Sequence, residues 1–289
     1  MSIAAAVNEW FRENARDLPW REKGFSAWGI LVSEFMLQQT PVARVLEPLA
    51  QWLDRWPTPQ ALASVPAGDA VRAWGRLGYP LRALRLHACA VQIVERFDGR
   101  VPDDVDHLRS LPGVGEYTAR AVAVFAFGHR HPVVDTNVRR VLARAVDGSA
   151  EPLPPSTRRD LAAMDVILPA DDGEARVTNA AVMELGAIVC TARSPRCESC
   201  PLASQCAWRA AGYPEHLGPR RPVQAKYEGS DRHVRGLILA ELRASDVPVS
   251  LAEICALWPD SAQRERALTS LLDDRLAIGN PEAGYELPD

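Results

Sequence analysis

Between residues 1 and 225 no stretch of this chain alternates apolar and polar residues as a half-buried strand must. Apolar residues recur instead at three- and four-residue spacing, broken by Gly, Pro and short polar caps. That periodicity confines most of the 289 residues to an all-α fold. Helices are predicted over 1–16, 27–39, 44–56, 71–77, from beyond Gly78 through Arg96, and over 117–127, 138–145, 157–168 and 177–189. Thr58-Pro59 opens a further segment, and the spacing of Leu108 and Leu111 is helical. The tail differs in character. Helices over 231–244, 250–258 and 261–274 precede a hairpin of 275–279 and 284–287, after the linker Gly218-Pro219-Arg220-Arg221-Pro222. Three helices and a hairpin suggest a winged-helix-like α+β module over 223–289, which can bind DNA, bind protein or merely pack.

With 47% apolar residues the chain can bury a large core and hold two or three domains. No apolar run approaches the ~20 residues of a membrane span. The N-terminus is charged through Glu9, Arg12, Glu13, Arg16 and Asp17, unlike a signal peptide. The expectation is a cytoplasmic protein with no membrane partner, in which six cysteines serve as metal ligands or free thiols rather than disulfides. A net charge of −4 counts mildly against a nucleic-acid partner, but the charge is uneven. Six arginines face two acids over 107–144, and six basic residues face two acids over 190–226, so DNA binding stays open. Only two of the 33 basic residues are lysines, Lys23 and Lys226. A lysine Schiff base therefore has those two candidates, apart from the chain's own N-terminus.

Three stretches carry candidate chemistry. In the first, Pro112-Gly113-Val114-Gly115 stops one helix and starts another, leaving unpaired N–H groups where two glycines admit a phosphate closely. Asp135 follows within twenty-five residues, ahead of an arginine-rich helix. A Gly-capped helical turn and an Asp N-cap would look the same. In the second, Glu34 sits on a helix that is apolar nearly all round, with Ile30 and Leu37 a turn away on either side. Burial would raise its pKa and suit it to general acid catalysis, unless it meets a solvent gap or an arginine. The third is Cys190-x6-Cys197-x2-Cys200-x5-Cys206. Four thiols in seventeen residues form a metal site, zinc or iron–sulfur by spacing alone. Tyr79 stands at a Gly turn, where it can pack or offer its ring to a base.

Together these stretches resemble the MutY-type adenine DNA glycosylases of the helix-hairpin-helix base-excision superfamily. The resemblance covers about residues 8 to 215. It rests on Leu-Pro-Trp-Arg (18–21), Ser-Glu-Phe-Met-Leu-Gln-Gln-Thr (33–40), Leu-Gly-Tyr (77–79), Leu-Pro-Gly-Val-Gly-Glu-Tyr-Thr (111–118), Val-Asp-Thr-Asn-Val-x-Arg (134–140) and the four cysteines. It implies a two-lobed all-α glycosylase: a six-helix barrel with the helix-hairpin-helix over 21–129, and a lobe of 1–20 and 130–218 in which Cys190, Cys197, Cys200 and Cys206 hold a [4Fe–4S] cluster in preference to zinc.

The resemblance also implies site roles. Glu34 protonates adenine at N7, and Asp135 supplies the sugar cation with a negative charge or a transient covalent partner. Tyr117 and Asn137 orient these groups, Arg21 and Glu184 contact the adenine, and Trp20 is a further substrate- or DNA-binding residue. Gln39, Thr40 and Tyr79 wedge into the duplex or meet the opposite base, and Leu37 and Gln38 are further DNA-binding residues. Gly113, Val114 and Gly115 grip the backbone. The implied partner is double-stranded DNA holding A:8-oxoguanine or A:G, bound by a monomer at the nucleoid.

Tyr117 stands where the bifunctional endonuclease III branch has its lysine nucleophile, which implies a monofunctional enzyme. Thr136 replaces the glycine more usual in MutY, and residues 223–289 are too short and helical for the usual NUDIX-like domain. Two other readings compete: a glycosylase for T or U opposite G, against which Gln38-Gln39 argues, and a non-catalytic DNA-binding relative.

Overall fold

The computed structural model describes residues 1–216 and 226–289, so the 218–222 linker and the limits drawn at 218 and 223 lie outside the described residues. The helices are α1 (Ile3–Asn14), α2 (Ala27–Leu37), α3 (Val42–Arg55), α4 (Pro59–Ala63), α5 (Ala67–Trp74), α6 (Leu81–Arg96), α7 (Val105–Arg109), α8 (Glu116–Phe127), α9 (Thr136–Ala145), α10 (Thr157–Ile167), α11 (Asp172–Ile188), α12 (Ala207–Ala210), α13 (Asp231–Ala244), α14 (Leu251–Ala256) and α15 (Ser261–Asp273). Strands β1 (Ile278–Asn280) and β2 (Gly284–Glu286) pair antiparallel. Among the described residues no helix is long and apolar enough to cross a membrane.

Helix α11 starts five residues before the predicted 177. Asp171 caps it by accepting the Glu174 N–H at 2.9 Å. The Glu174 carboxylate then accepts from Asn8 at 2.8 Å and from Arg12 at 2.9 Å, both on α1. Capping and tertiary contacts thus outweigh the helix-breaking tendency of Gly173.

The described chain divides into two compact units. One comprises 1–30, 103–109 and 114–216; the other comprises 31–102, 110–113 and 226–289. The first is built around Val7, Val138, Val141, Met164, Val182 and Leu185, contributed by α1, α9, α10 and α11. In the second, the Trp52 ring meets Trp56 and Trp74 edge-on, with centroids 4.7 and 5.5 Å apart. Buried aromatic surface of this size contributes heavily to a helical core.

The tail segment belongs to the second unit. Val249 bridges to Tyr285, adding a one-residue strand beside β2 that periodicity could not reveal. Helix, bridge, two helices and two strands is the order of a winged helix. Its α13 end is tied to α5: Arg243 donates to the Val71 and Gly75 carbonyls at 2.9 and 2.7 Å, while Arg72 donates to those of Arg243 and Ser245.

Candidate active site

In the first unit Asp135 is the N-cap of α9, and both of its oxygens are engaged. One accepts the Val138 N–H at 2.7 Å, and the other accepts Asn137 Nδ2 at 2.7 Å. Burial pushes the Asp135 carboxyl above its ordinary value, opposed by these donors and by the Arg140 guanidinium. Desolvation thus works against the charge on this carboxylate, and the α9 donors sustain it.

Arg140 closes the 134–140 motif, but nothing in its local sequence shows which groups it bonds. It is buried, and it donates to Asn137 Oδ1 at 2.8 Å, the Gly186 carbonyl at 2.6 Å and the Cys190 carbonyl at 2.7 Å. Gly186 is inconspicuous in sequence. A Cβ there would lie 2.7–3.0 Å from the Cβ and carbonyl group of Asn137, so α11 reaches α9 this closely only as glycine.

Arg21 closes a short 3-10 turn, Pro19–Arg21, that also carries Trp20. It donates to Glu184 at 2.9 Å and lies over the Phe11 ring at 5.0 Å. Arg16, which sequence reasoning missed, donates twice to Glu184 through its guanidinium, at 2.7 Å each, and once through its backbone N–H at 3.0 Å. Burial would raise the Glu184 carboxyl, but the arginine donors outweigh it and hold the group at about 2. Glu184 is therefore an anion committed to two arginines, which fastens the 16–21 segment to α11.

The hairpin glycines divide their tasks. Gly113 has φ 77° and faces Phe35 and Arg85 so closely that a Cβ would lie within 2.8 Å of both. It is required by packing as well as by backbone conformation. Gly115, the N-cap of α8, would meet nothing within 4 Å, so its face is open to a ligand. Val114 between them is buried. Tyr117, in the first turn of α8, packs against Ala121, Val124 and Val133.

In the second unit Glu34 is only 7% exposed, and its neighbours from Leu31 to Met36 are buried. Helix α2 ends at Leu37, two residues short of the prediction, because Gln39 takes φ 56°. Gln39 is exposed, Leu37 and Gln38 are half-buried, and Thr40 is buried. Tyr79 is 49% exposed, with φ 47°. The two turns share a partner that the sequence did not single out, the buried Arg82. It donates to the Gln38 carbonyl at 2.6 Å, to Thr40 Oγ1 at 2.9 Å and to the Gly78 carbonyl at 3.0 Å.

The four cysteines form no disulfide and line one cavity. Arg144 donates to Cys190 Sγ at 3.5 Å and to the Thr191 and Ala192 carbonyls. Burial, reinforced by the sulfurs of Cys190, Cys206 and Cys197, pushes Cys200 up to about 11. Mutually repelling thiols in a buried pocket need a cationic centre to ionise. Among the described residues no group of three or more His, Cys or carboxylate side chains is placed to hold a metal ion, and the four cysteines that line one cavity supply the donor set an iron–sulfur cluster takes.

Residues 32–164 match the HhH-GPD superfamily of base excision DNA repair proteins, and residues 190–206 match the iron–sulfur binding domain of endonuclease III. The cofactor is an iron–sulfur cluster. The chain is 56% identical over 280 residues to an adenine DNA glycosylase of Mycobacterium tuberculosis, covering 96% of this chain and 91% of that protein. It is also 56% identical over 289 residues to an adenine DNA glycosylase of Mycolicibacterium smegmatis, covering 99% and 97%. Likeness over such lengths includes the tail module. A thermostable thymine-DNA glycosylase structure superposes with TM-score 0.66 at 27% identity, covering 72% of this chain and 95% of that one. By this likeness, sustained from end to end, the chain belongs to the adenine DNA glycosylase family of HhH-GPD base excision repair proteins.

Proposed function

We propose that this adenine DNA glycosylase excises adenine standing opposite 8-oxoguanine or guanine, by monofunctional hydrolysis of the N-glycosidic bond. The observation that carries the reading is the Asp135 carboxylate, fixed by Val138 and Asn137 at the start of α9. An adenine stacked in a duplex is out of reach, so it must first be flipped out. Glu34, desolvated on α2, donates its proton to adenine N7 and turns the base into a neutral leaving group. The electron pair of the C1′–N9 bond leaves with the base. The sugar is left as an oxocarbenium-like cation, whose charge Asp135 balances until water adds at C1′ and gives up a proton, which restores the Glu34 acid. One carboxylic acid and one carboxylate is the division of labour of glycoside hydrolysis.

Asn137 holds the Asp135 oxygen in place, and Tyr117 supports the same pocket. Arg21, with Trp20 and Glu184 behind it, borders the adenine. Leu37 to Thr40 and Tyr79 enter the duplex at the mispair, and the open Gly115 face takes a phosphate. The four cysteines hold a [4Fe–4S] cluster, which supports the lobe and lies outside the hydrolytic step. The protein acts as a monomer at the nucleoid.

The test is a panel of duplexes carrying A:8-oxoguanine, A:G, T:G and U:G. Adenine release from the first two and none from the others is expected. Absence of cleavage at A:8-oxoguanine overturns the substrate reading, and cleavage at T:G in its place supports the competing mismatch enzyme. Borohydride in the same reactions should trap no robust covalent adduct, because the hairpin carries tyrosine where a lyase needs an amine.

A further inference from the structure

Arg82 lies in the first turn of α6 and is 5% exposed. A guanidinium buried so deeply is costly unless its donors are used. Nη1 donates to the carbonyls of Phe35 and Met36 at 2.9 Å each and to that of Gln38 at 2.6 Å. The first two are carbonyls of the last turn of α2, which have no partner further along that helix. A cation at this C-terminus is also favoured by the helix dipole. Nη2 donates to Thr40 Oγ1 at 2.9 Å and to the Gly78 carbonyl at 3.0 Å. The guanidinium also lies over the Tyr79 ring at 5.5 Å.

One side chain therefore ties two turns that are distant in sequence, 37–40 and 77–79. Each turn holds a non-glycine residue in the left-handed region, Gln39 at φ 56° and Tyr79 at φ 47°. Such conformations persist only where the surroundings over-determine them. Both turns expose a side chain at their tip, Gln39 and Tyr79, on a base that Arg82 fixes from beneath.

We propose that Arg82 is a positioning residue that holds the Gln38–Thr40 and Gly78–Tyr79 turns in one register, so that both read the base opposite the adenine as a unit. The inference rests on the assignment of those two turns to the mispair. Lysine at 82 keeps the charge but loses the planar fork, which alone reaches both turns at once. Discrimination should then fall, while attraction to the DNA backbone, which does not pass through Arg82, should persist.

The experiment compares wild type and Arg82→Lys, each with its cluster, for binding to duplexes that carry a non-hydrolysable adenine analogue opposite 8-oxoguanine, G or T. The ratio of mispair affinity to A:T affinity should fall about tenfold in Arg82→Lys, the scale of loss expected when contact groups shift by a fraction of an ångström. Affinity for the A:T duplex should stay within about twofold, since it reports phosphate contacts. An unchanged ratio overturns the proposal. So does an equal loss on all three duplexes, which would make Arg82 a fold residue only.

Should Arg82→Lys fail to fold, the cycle of Gln39→Ala, Tyr79→Ala and the double variant decides. Turns held as a unit give a double variant no worse than the poorer single one, and effects that multiply overturn the coupling. Excision of adenine opposite 8-oxoguanine by wild type is read first. Its absence sinks the substrate assignment, whereas its presence with unaltered discrimination in the variants sinks Arg82 alone.

Discussion

Asp135 serves two tasks with one carboxylate, and substitution can separate them. Asparagine caps a helix about as well as aspartate, so Asp135→Asn keeps an oxygen for the Val138 N–H but gives up the bond from Asn137 Nδ2, at a cost of about 1 kcal/mol. It removes the charge that balances the sugar cation. Single-turnover excision should fall on the order of 10³-fold with little change in melting temperature, and Glu34→Gln should do the same by removing the acid while leaving DNA binding intact. A melting temperature that dropped with the rate would return Asp135 to a purely structural role.

Glu184 makes the opposite case, a charge that works for stability. Its carboxyl sits at about 2 in the fold against an ordinary 4.5, because the Arg16 and Arg21 donors overcome burial. A depressed carboxyl contributes stability that is complete above pH 4.5 and is lost as pH falls toward 2. Glu184→Gln should lower stability at pH 7 by about 2–3 kcal/mol and flatten the acid limb of a chemical-denaturation series over that window. An acid limb as steep as in wild type would show that another carboxylate governs it.

At the scale of elements, the approach of α11 to α9 fixes where Asp135 and Asn137 stand. The contact depends on Gly186, whose missing side chain leaves room for the Asn137 carbonyl group. Gly186→Ala must push the two helices apart, because backbone rather than a flexible side chain stands in the way. Overpacking of this kind costs about 1–3 kcal/mol. The accompanying shift of Asn137 should reduce excision at least tenfold, more than the stability loss alone would explain. Full activity in a slightly destabilised Gly186→Ala would mean that α9 does not move with Asn137.

Helix existence was legible in the chain because periodicity and caps are local signals: α13 runs 231–244 as expected, and the hairpin glycines and Asp135 were visible as a motif. Gly186, Arg16 and Arg82 were not, and Arg140 was visible only as a motif residue without its partners. Their meaning lies in partners up to 168 residues away, and an arginine that bonds distant carbonyls looks in sequence like any surface arginine. The Val249 strand was hidden for the same reason, since one bridging residue has no period.

For the whole molecule, the distribution of charge decides which parts meet DNA. The stretch 107–144 is basic, with six arginines to two acids, whereas residues 226–289 carry seven basic residues against twelve acids. A module with that balance repels a phosphate backbone more than it grips one, despite its winged-helix order. Its basic side chains are also spent internally. Arg243 donates to Val71 and Gly75, and Arg235 and Arg266 pair with Asp274 and Asp231. The Gly68 N–H donates to the Pro288 carbonyl at 2.6 Å, so the far end of the module also seals α5. Its contribution is therefore to the stability of the second unit. A chain ending before Lys226 should melt at a lower temperature, with faster amide exchange in α5. The slope of log affinity against log salt for duplex DNA should change by less than about one, the value of a single phosphate contact. A slope shallower by several contacts would instead make the tail part of the DNA grip, against the sign of its charge.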